Sequence, residues 1–156
     1  MQEERPTLRF GCGKWLLPSV IACGVRKSNI DVYTPNLKTR YSDDLQLIMT
    51  PTKHNVTNCC YRIFLDGEKI FYATDCNNLD GIDAKGYDLY MIEANYEDKE
   101  IQERIAEKEA NGEYAYEYQV LKNHLSKQKA DDFIIRNAGI NSRFVYLHGH
   151  GGVNFE

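Results

Sequence analysis

Residues 59–75, CCYRIFLDGEKIFYATD, constrain the fold more than any other stretch of the chain. Two apolar runs flank Asp66-Gly67, and that dipeptide supplies the positive φ angles that a tight two-residue hairpin demands. The segment is therefore read as an antiparallel hairpin. In its first strand Cys59 and Cys60 must point to opposite faces, because side chains alternate along a strand.

Around the hairpin the pattern is mixed, without repeats or low-complexity tracts. Residues 7–10 (TLRF) read as a short strand, GKWLLPSVIACG as a helix stopped by Gly24, and NIDVYT as another strand, which makes a β-α-β start. LQLIMTPTKH, from residue 45, reads as a further strand. YDLYMIEANY is nearly continuous in apolar residues, as in a strand covered on both faces, and it runs into Glu93. A helix is then expected over KEIQERIAEKEANG, with Asp98 as its cap, Ile101, Ile105 and Ala106 as its apolar stripe, and Gly112 as its stop. EYAYEYQVLKNHLS fits either strand or helix. Ser126 caps a last helix, KQKADDFIIRNAG, with Ala130, Phe133, Ile134 and Ala138 on one face and Gly139 closing it. RFVYLHGHGG ends the series as a strand running into two histidines. The order predicts an α/β sandwich with helices outside the sheets, built as one domain over residues 1–156.

With 19 basic and 23 acidic residues, a net charge of −4 and a pI near 5.6, the chain has no basic stripe of the kind nucleic-acid backbones select. No apolar stretch approaches the length of a membrane span and no signal pattern opens the sequence, so a cytoplasmic location without membrane association is expected. The Asn55-Val56-Thr57 sequon carries no meaning in that setting. Five cysteines (Cys12, Cys23, Cys59, Cys60, Cys76) form an odd set without a CxxC pair and are expected to be free, buried thiols.

Four ionisable residues sit at or just beyond strand ends: His54, Asp75, Glu93 and His148, while a fifth, His124, precedes a helix start. Strand ends at one edge of a sheet converge, so such groups can face a cleft. Each alone has an ordinary explanation: Asp75 can cap a turn with Asn77 and Asn78, Glu93 can hold a backbone amide, and His148 can be a core histidine. Their order resembles something more specific. His54 before CYRI, Asp75 in ATDC, Glu93 in IEAN, His124 in HLS and His148 in YLHGH resemble the downstream motifs of the metallo-β-lactamase fold superfamily, in its ribonuclease Z-like and phage phosphodiesterase branch, over residues 40–150.

That resemblance implies a four-layer αββα fold of which this chain carries mainly the second half. It implies His54, Asp75 and His148 as metal ligands, with Asp75 bridging two ions, and a Glu93–His124 pair in which the acid orients the imidazole that protonates the leaving oxygen. The family's upstream HxHxDH cluster has no counterpart, since no histidine precedes His54. Each metal would then receive at most two protein ligands where a catalytic zinc usually has three. The chain alone is thus expected to bind zinc or manganese weakly or not at all, and His150 is not counted as a ligand. A half-fold also leaves an apolar sheet surface, for which a homodimer or another protein partner is the expected cover. The reading is a truncated or degenerate phosphodiesterase- or nuclease-like hydrolase, inactive unless an HxHxDH-bearing chain completes it. The alternative is a phage-type binding or inhibitor protein that reuses the half-fold. Nucleic acid or a nucleotide is a further expected ligand class.

Overall fold

A computed structural model describes residues 7–149. β1 (Phe10–Gly13), a 3₁₀ turn (Lys14–Leu16), α1 (Leu17–Ala22) and β2 (Ile30–Tyr33) form the expected β-α-β unit, with the first strand starting three residues later than its sequence pattern. The two strands pair in parallel from Phe10↔Ile30 to Gly13↔Tyr33. Pro18 lies in the first turn of α1, where its missing N–H costs nothing, and Gly24 turns the chain away at φ 85°.

The second sheet has six strands in sequence order: β3 (Lys38–Arg40), β4 (Leu45–Thr52), β5 (Asn58–Leu65), β6 (Glu68–Ala73), β7 (Leu89–Glu93) and β8 (Arg143–Leu147). β5 and β6 are the predicted hairpin, closed at Leu65↔Glu68 with Asp66 at φ 50° and Gly67 at φ 85°. Those values belong to the turn whose twist matches that of the strands. β3 is too short to show in the sequence pattern.

Cys59 and Cys60 do face opposite ways. Cys60 joins a core with Phe71, Ala73, Tyr90 and Ile92, covered by Ala130, Phe133 and Ile134 of α4 (Lys127–Asn137). Cys59 packs on the other face with Met49 and Tyr33, so that the β1–β2 unit covers this end of the sheet. Farther along the same face, Ile70, Tyr72, Leu89, Met91 and Val145 are half-buried. A third cluster, Tyr96, Ile101, Ile105 and Ala115, joins α2 (Asp98–Ala110) to α3 (Glu117–Asn123).

Several local expectations are corrected. Asp98 is the first residue of α2 and its N–H donates to Gln128 Oε1, so Glu97 occupies the cap position, and Ala106 is exposed. α4 has the Ser126 cap, whose hydroxyl accepts from the Lys129 N–H, but it ends at Asn137 before Gly139, whose N–H donates to Ser142 Oγ; Ala138 is exposed. The ambiguous tyrosine segment becomes a loop and then α3. Its alternation runs inside out: Tyr114, Tyr116 and Tyr118 face solvent while Ala115 and Glu117 are buried, the latter held by Lys108 Nζ at 2.8 Å. Cys23 is exposed, whereas the other four thiols are buried. Among the described residues no helix is long and apolar enough to cross a membrane.

Candidate metal centre

Strand directions explain why distant residues meet. β5 runs antiparallel to both β4 and β6, while β7 and β8 run parallel to β6, so β4, β6, β7 and β8 all end at one edge. Registers Ala73↔Ile92 and Glu93↔Leu147 bring those ends level. His54 lies two residues beyond β4, Asp75 two beyond β6, Glu93 closes β7 and His148 follows β8. His124 reaches the same edge from the C-terminus of α3.

Asp75 and His148 leave their strands in the left-handed region, at φ 50° and 58°. Few residues other than glycine adopt it, although Asp and His are among those that do. The Asp75 turn is pinned by Asn58, whose side-chain amide donates to the carbonyls of Thr74 (2.8 Å) and Asp75 (2.6 Å). It is pinned again by Cys76, whose N–H donates to Glu93 Oε2 at 3.1 Å.

Glu93 is fully buried, and a buried carboxylate needs donors. Oε2 also accepts from the Leu125 N–H at 3.5 Å, and Oε1 lies 2.5 Å from His124 Nδ1. Asp75 Oδ1 stands 3.7 Å from His124 Nδ1 and 3.5 Å from His148 Nδ1, which is also 3.5 Å from Glu93 Oε1. One donor atom from each of Asp75, Glu93, His124 and His148 thus falls within 4.8 Å of the others. Burial and the neighbouring carboxylate of Glu93 push the Cys76 thiol up to about 12, which keeps it protonated beside this group.

His54 stands beside the four and outside their cluster. Its ring centroid is 5.4 Å from that of His124, edge to face, and its Nδ1 is 3.0 Å from the Asn123 carbonyl. A carbonyl only accepts, so Nδ1 carries the proton and Nε2 keeps its lone pair; metal-binding histidines are commonly fixed by such a bond. Asp75 also suits a cation, since its carboxylate is part-exposed between two imidazoles, the nearer of them 3.5 Å away. Glu93 differs, because both its oxygens are occupied by protein donors, and this makes it an anchor for His124. His150 lies outside the described residues.

Solved structures with this arrangement of strands and helices include YhfI from Bacillus subtilis, described as a metallo-β-lactamase fold protein, which superposes with a TM-score of 0.68 at 19% identity over 97% of this chain and 56% of its own. The chain has a metallo-β-lactamase fold, in part. The short form of human tRNase Z (TM-score 0.55, 13% identity, 90% of this chain and 59% of its own) and zinc-bound PqqB from Methylobacterium extorquens (0.60, 11%, 89% and 53%) agree. The chain spans a little over half the length of each. No protein-family model matches the sequence, and no curated protein matches it.

Beside the centre an open cavity of about 940 Å³ lies between the β4–β5 loop and α3, with Lys53, His54, Asn55, Asn77, Tyr118 and Lys122 in its wall. Among the described residues no acid lines it, although acids outnumber bases in the chain. Lys53 and Lys122 form no ion pair among the described residues. The cavity is a locally cationic bay in an acidic protein.

Proposed function

We propose that this chain supplies the downstream part of a metal-dependent phosphodiester hydrolase and turns over substrate only when further ligands from outside this sequence complete the centre. The observation that carries the reading is the meeting of Asp75, Glu93, His124 and His148 within 4.8 Å at one sheet edge. Asp75 and His148, with His54 through its free Nε2, would hold the metal, zinc or manganese. A bound ion would polarise the diester and activate water. The rest falls to the protein. Glu93 fixes the His124 ring through Nδ1, leaving Nε2 to carry the proton that the leaving oxygen takes up. Lys53 and Lys122 draw the anionic substrate into the bay.

Two further points support that dependence. Even with Asp75 bridging, His54, Asp75 and His148 cannot give three ligands to each of two catalytic zinc ions. The half-buried row Ile70, Tyr72, Leu89, Met91 and Val145 also gives a second protein surface something apolar to cover.

Titration of the purified chain with Zn²⁺ or Mn²⁺, followed by assay on a chromogenic phosphodiester, tests this. Weak binding of at most one ion and no turnover are expected alone, with turnover appearing when a chain bearing the HxHxDH ligands is added and disappearing in His124→Ala. Tight binding of two ions, or turnover by the chain alone, would overturn the dependence. A completed, metal-loaded centre without turnover would favour the binding-protein alternative.

A further inference from the structure

The last four carbonyls of an α-helix have no partners within it, and a buried helix end must find them elsewhere. At the C-terminus of α3 every one goes to a residue of the centre or to Asn77. Val120 O accepts from the His124 N–H at 2.9 Å, and Asn123 O accepts from His54 Nδ1 at 3.0 Å. The two between them, Leu121 O and Lys122 O, both accept from the side-chain amide of Asn77, at 3.0 and 2.9 Å. The main-chain N–H of Asn77 donates to Lys53 O at 2.9 Å, one residue before His54. Its Oδ1 accepts from Asn78 Nδ2 and its carbonyl from Lys129 Nζ. No polar group of Asn77 is left over.

We infer that Asn77 is the positioning residue of the centre: it clasps the segments carrying His54, Asp75 and His124 and sets the spacing of the two imidazoles. Asn77 follows Asp75 by two residues, bonds the residue before His54, and holds the helix end that delivers His124. Only an amide provides two donors at this length. Aspartate has the same shape and would set a carboxylate against two carbonyls. The inference rests on the proposed metal centre for its purpose, though its geometry is independent of any ion.

The test is nuclear magnetic resonance of the metal-free chain. In the wild type the His54 Nδ1 proton should be slow to exchange and the Asn77 side-chain amide protons protected. Asn77→Ala and Asn77→Asp should both lose the His54 ring-proton signal while the chain stays folded, whereas Asn78→Ala, which removes a donor to Asn77 Oδ1 and the acceptor of the Asp80 N–H but no bond to α3 or to the His54 segment, should keep it. A His54 ring proton that persists in both Asn77 variants overturns the inference. So does fast exchange of the Asn77 amide in the wild type, a measurement that needs no variant to fold. If the wild type binds Zn²⁺, Asn77→Asp should weaken that binding by about tenfold or more, and unchanged affinity would count against positioning. If the chain completed by one bearing the HxHxDH ligands binds no metal, the proposed function falls, and the ring-proton result still decides the role of Asn77.

Discussion

Glu93→Gln isolates the charge of the buried acid from its shape. Glu93 accepts from three donors: the N–H groups of Cys76 and Leu125 on Oε2, and His124 Nδ1 on Oε1. A glutamine has one acceptor and one donor end. If its oxygen faces His124, its NH₂ meets two backbone N–H groups. If it turns over, its NH₂ meets Nδ1, which must shed its proton and move it to Nε2. The second arrangement conflicts with one group that can adapt, so it should prevail. Hydrogen bonds to a charged acceptor contribute about 1.5–3 kcal/mol against about 1 kcal/mol for neutral ones, so exchanging them while keeping a paired geometry should cost about 1–2 kcal/mol. For a chain of this size that lowers the melting temperature by about 2–8 °C. Opposing this, the variant no longer keeps a charge out of water, a relief that can exceed the loss where pairing is poor. Three donors at 2.5–3.5 Å make the pairing good enough for the loss to win. Thermal unfolding followed by circular dichroism, with the His124 tautomer read from its ring nitrogens, checks both parts. A variant more stable than the wild type, or one in which His124 still carries its proton on Nδ1, would refute the argument.

Other consequences are simpler to check. Cys23 is exposed while Cys60 and Cys76 are buried with thiols pushed up to about 12, so a thiol reagent at pH 8 should label Cys23 alone in the folded chain, as mass spectrometry of the digest would show. Gly67 sits at φ 85°, and a methyl group added there would meet nothing within 4 Å, so Gly67→Ala should cost only the backbone penalty, about 1–2 kcal/mol by denaturant unfolding. The Arg9 guanidinium, through its hydrogen bonds, holds the Asp31 carboxyl below the ordinary carboxylate range. A depressed pKa contributes stability that is complete above the unfolded value of about 3.9 and fades as pH falls through the lower folded value. Arg9→Met should therefore reduce stability at pH 6, and the difference from the wild type should shrink as pH falls below about 3.9.

What could be read in the sequence was local chemistry with a strict pattern. Asp66-Gly67 named the hairpin because a positive φ at both positions admits few alternatives, and Ser126 named a helix start because an Ncap hydroxyl has one geometric task. The candidate site residues could be listed by motif order, and the level strand ends with the C-terminus of α3 bring Asp75, Glu93, His124 and His148 together. Three kinds of feature stayed hidden. β3, with one half-buried residue in three, is too short for period two to register. The α3 entry reversed its apparent pattern because Glu117 is buried by a partner nine residues back, Lys108, which no short window weighs. Asn58 and Asn77 read as ordinary loop polar residues, since an amide side chain shows its role only through the carbonyls it reaches.

Those two amides bear on how such a centre can exist at all. Among the described residues four non-glycine positions have positive φ; Asn36 and Asp66 lie in turns, and the other two are Asp75 and His148. A strand that simply continued would alternate its side chains between the two faces of the sheet, one of them packed under α4. Turning left-handed immediately past the strand end lets Asp75 and His148 leave that alternation and face each other across Glu93. The turn costs on the order of 1–2 kcal/mol at each position, which is comparable to the two bonds Asn58 gives to Thr74 and Asp75 at about 1 kcal/mol each. Asn58 begins β5, and the antiparallel register that pairs Tyr61 with Tyr72 carries it level with Asp75. The hairpin that most constrains the fold therefore also supplies the clamp that makes its strained exit tolerable, and the position of the candidate centre depends on the register of that hairpin.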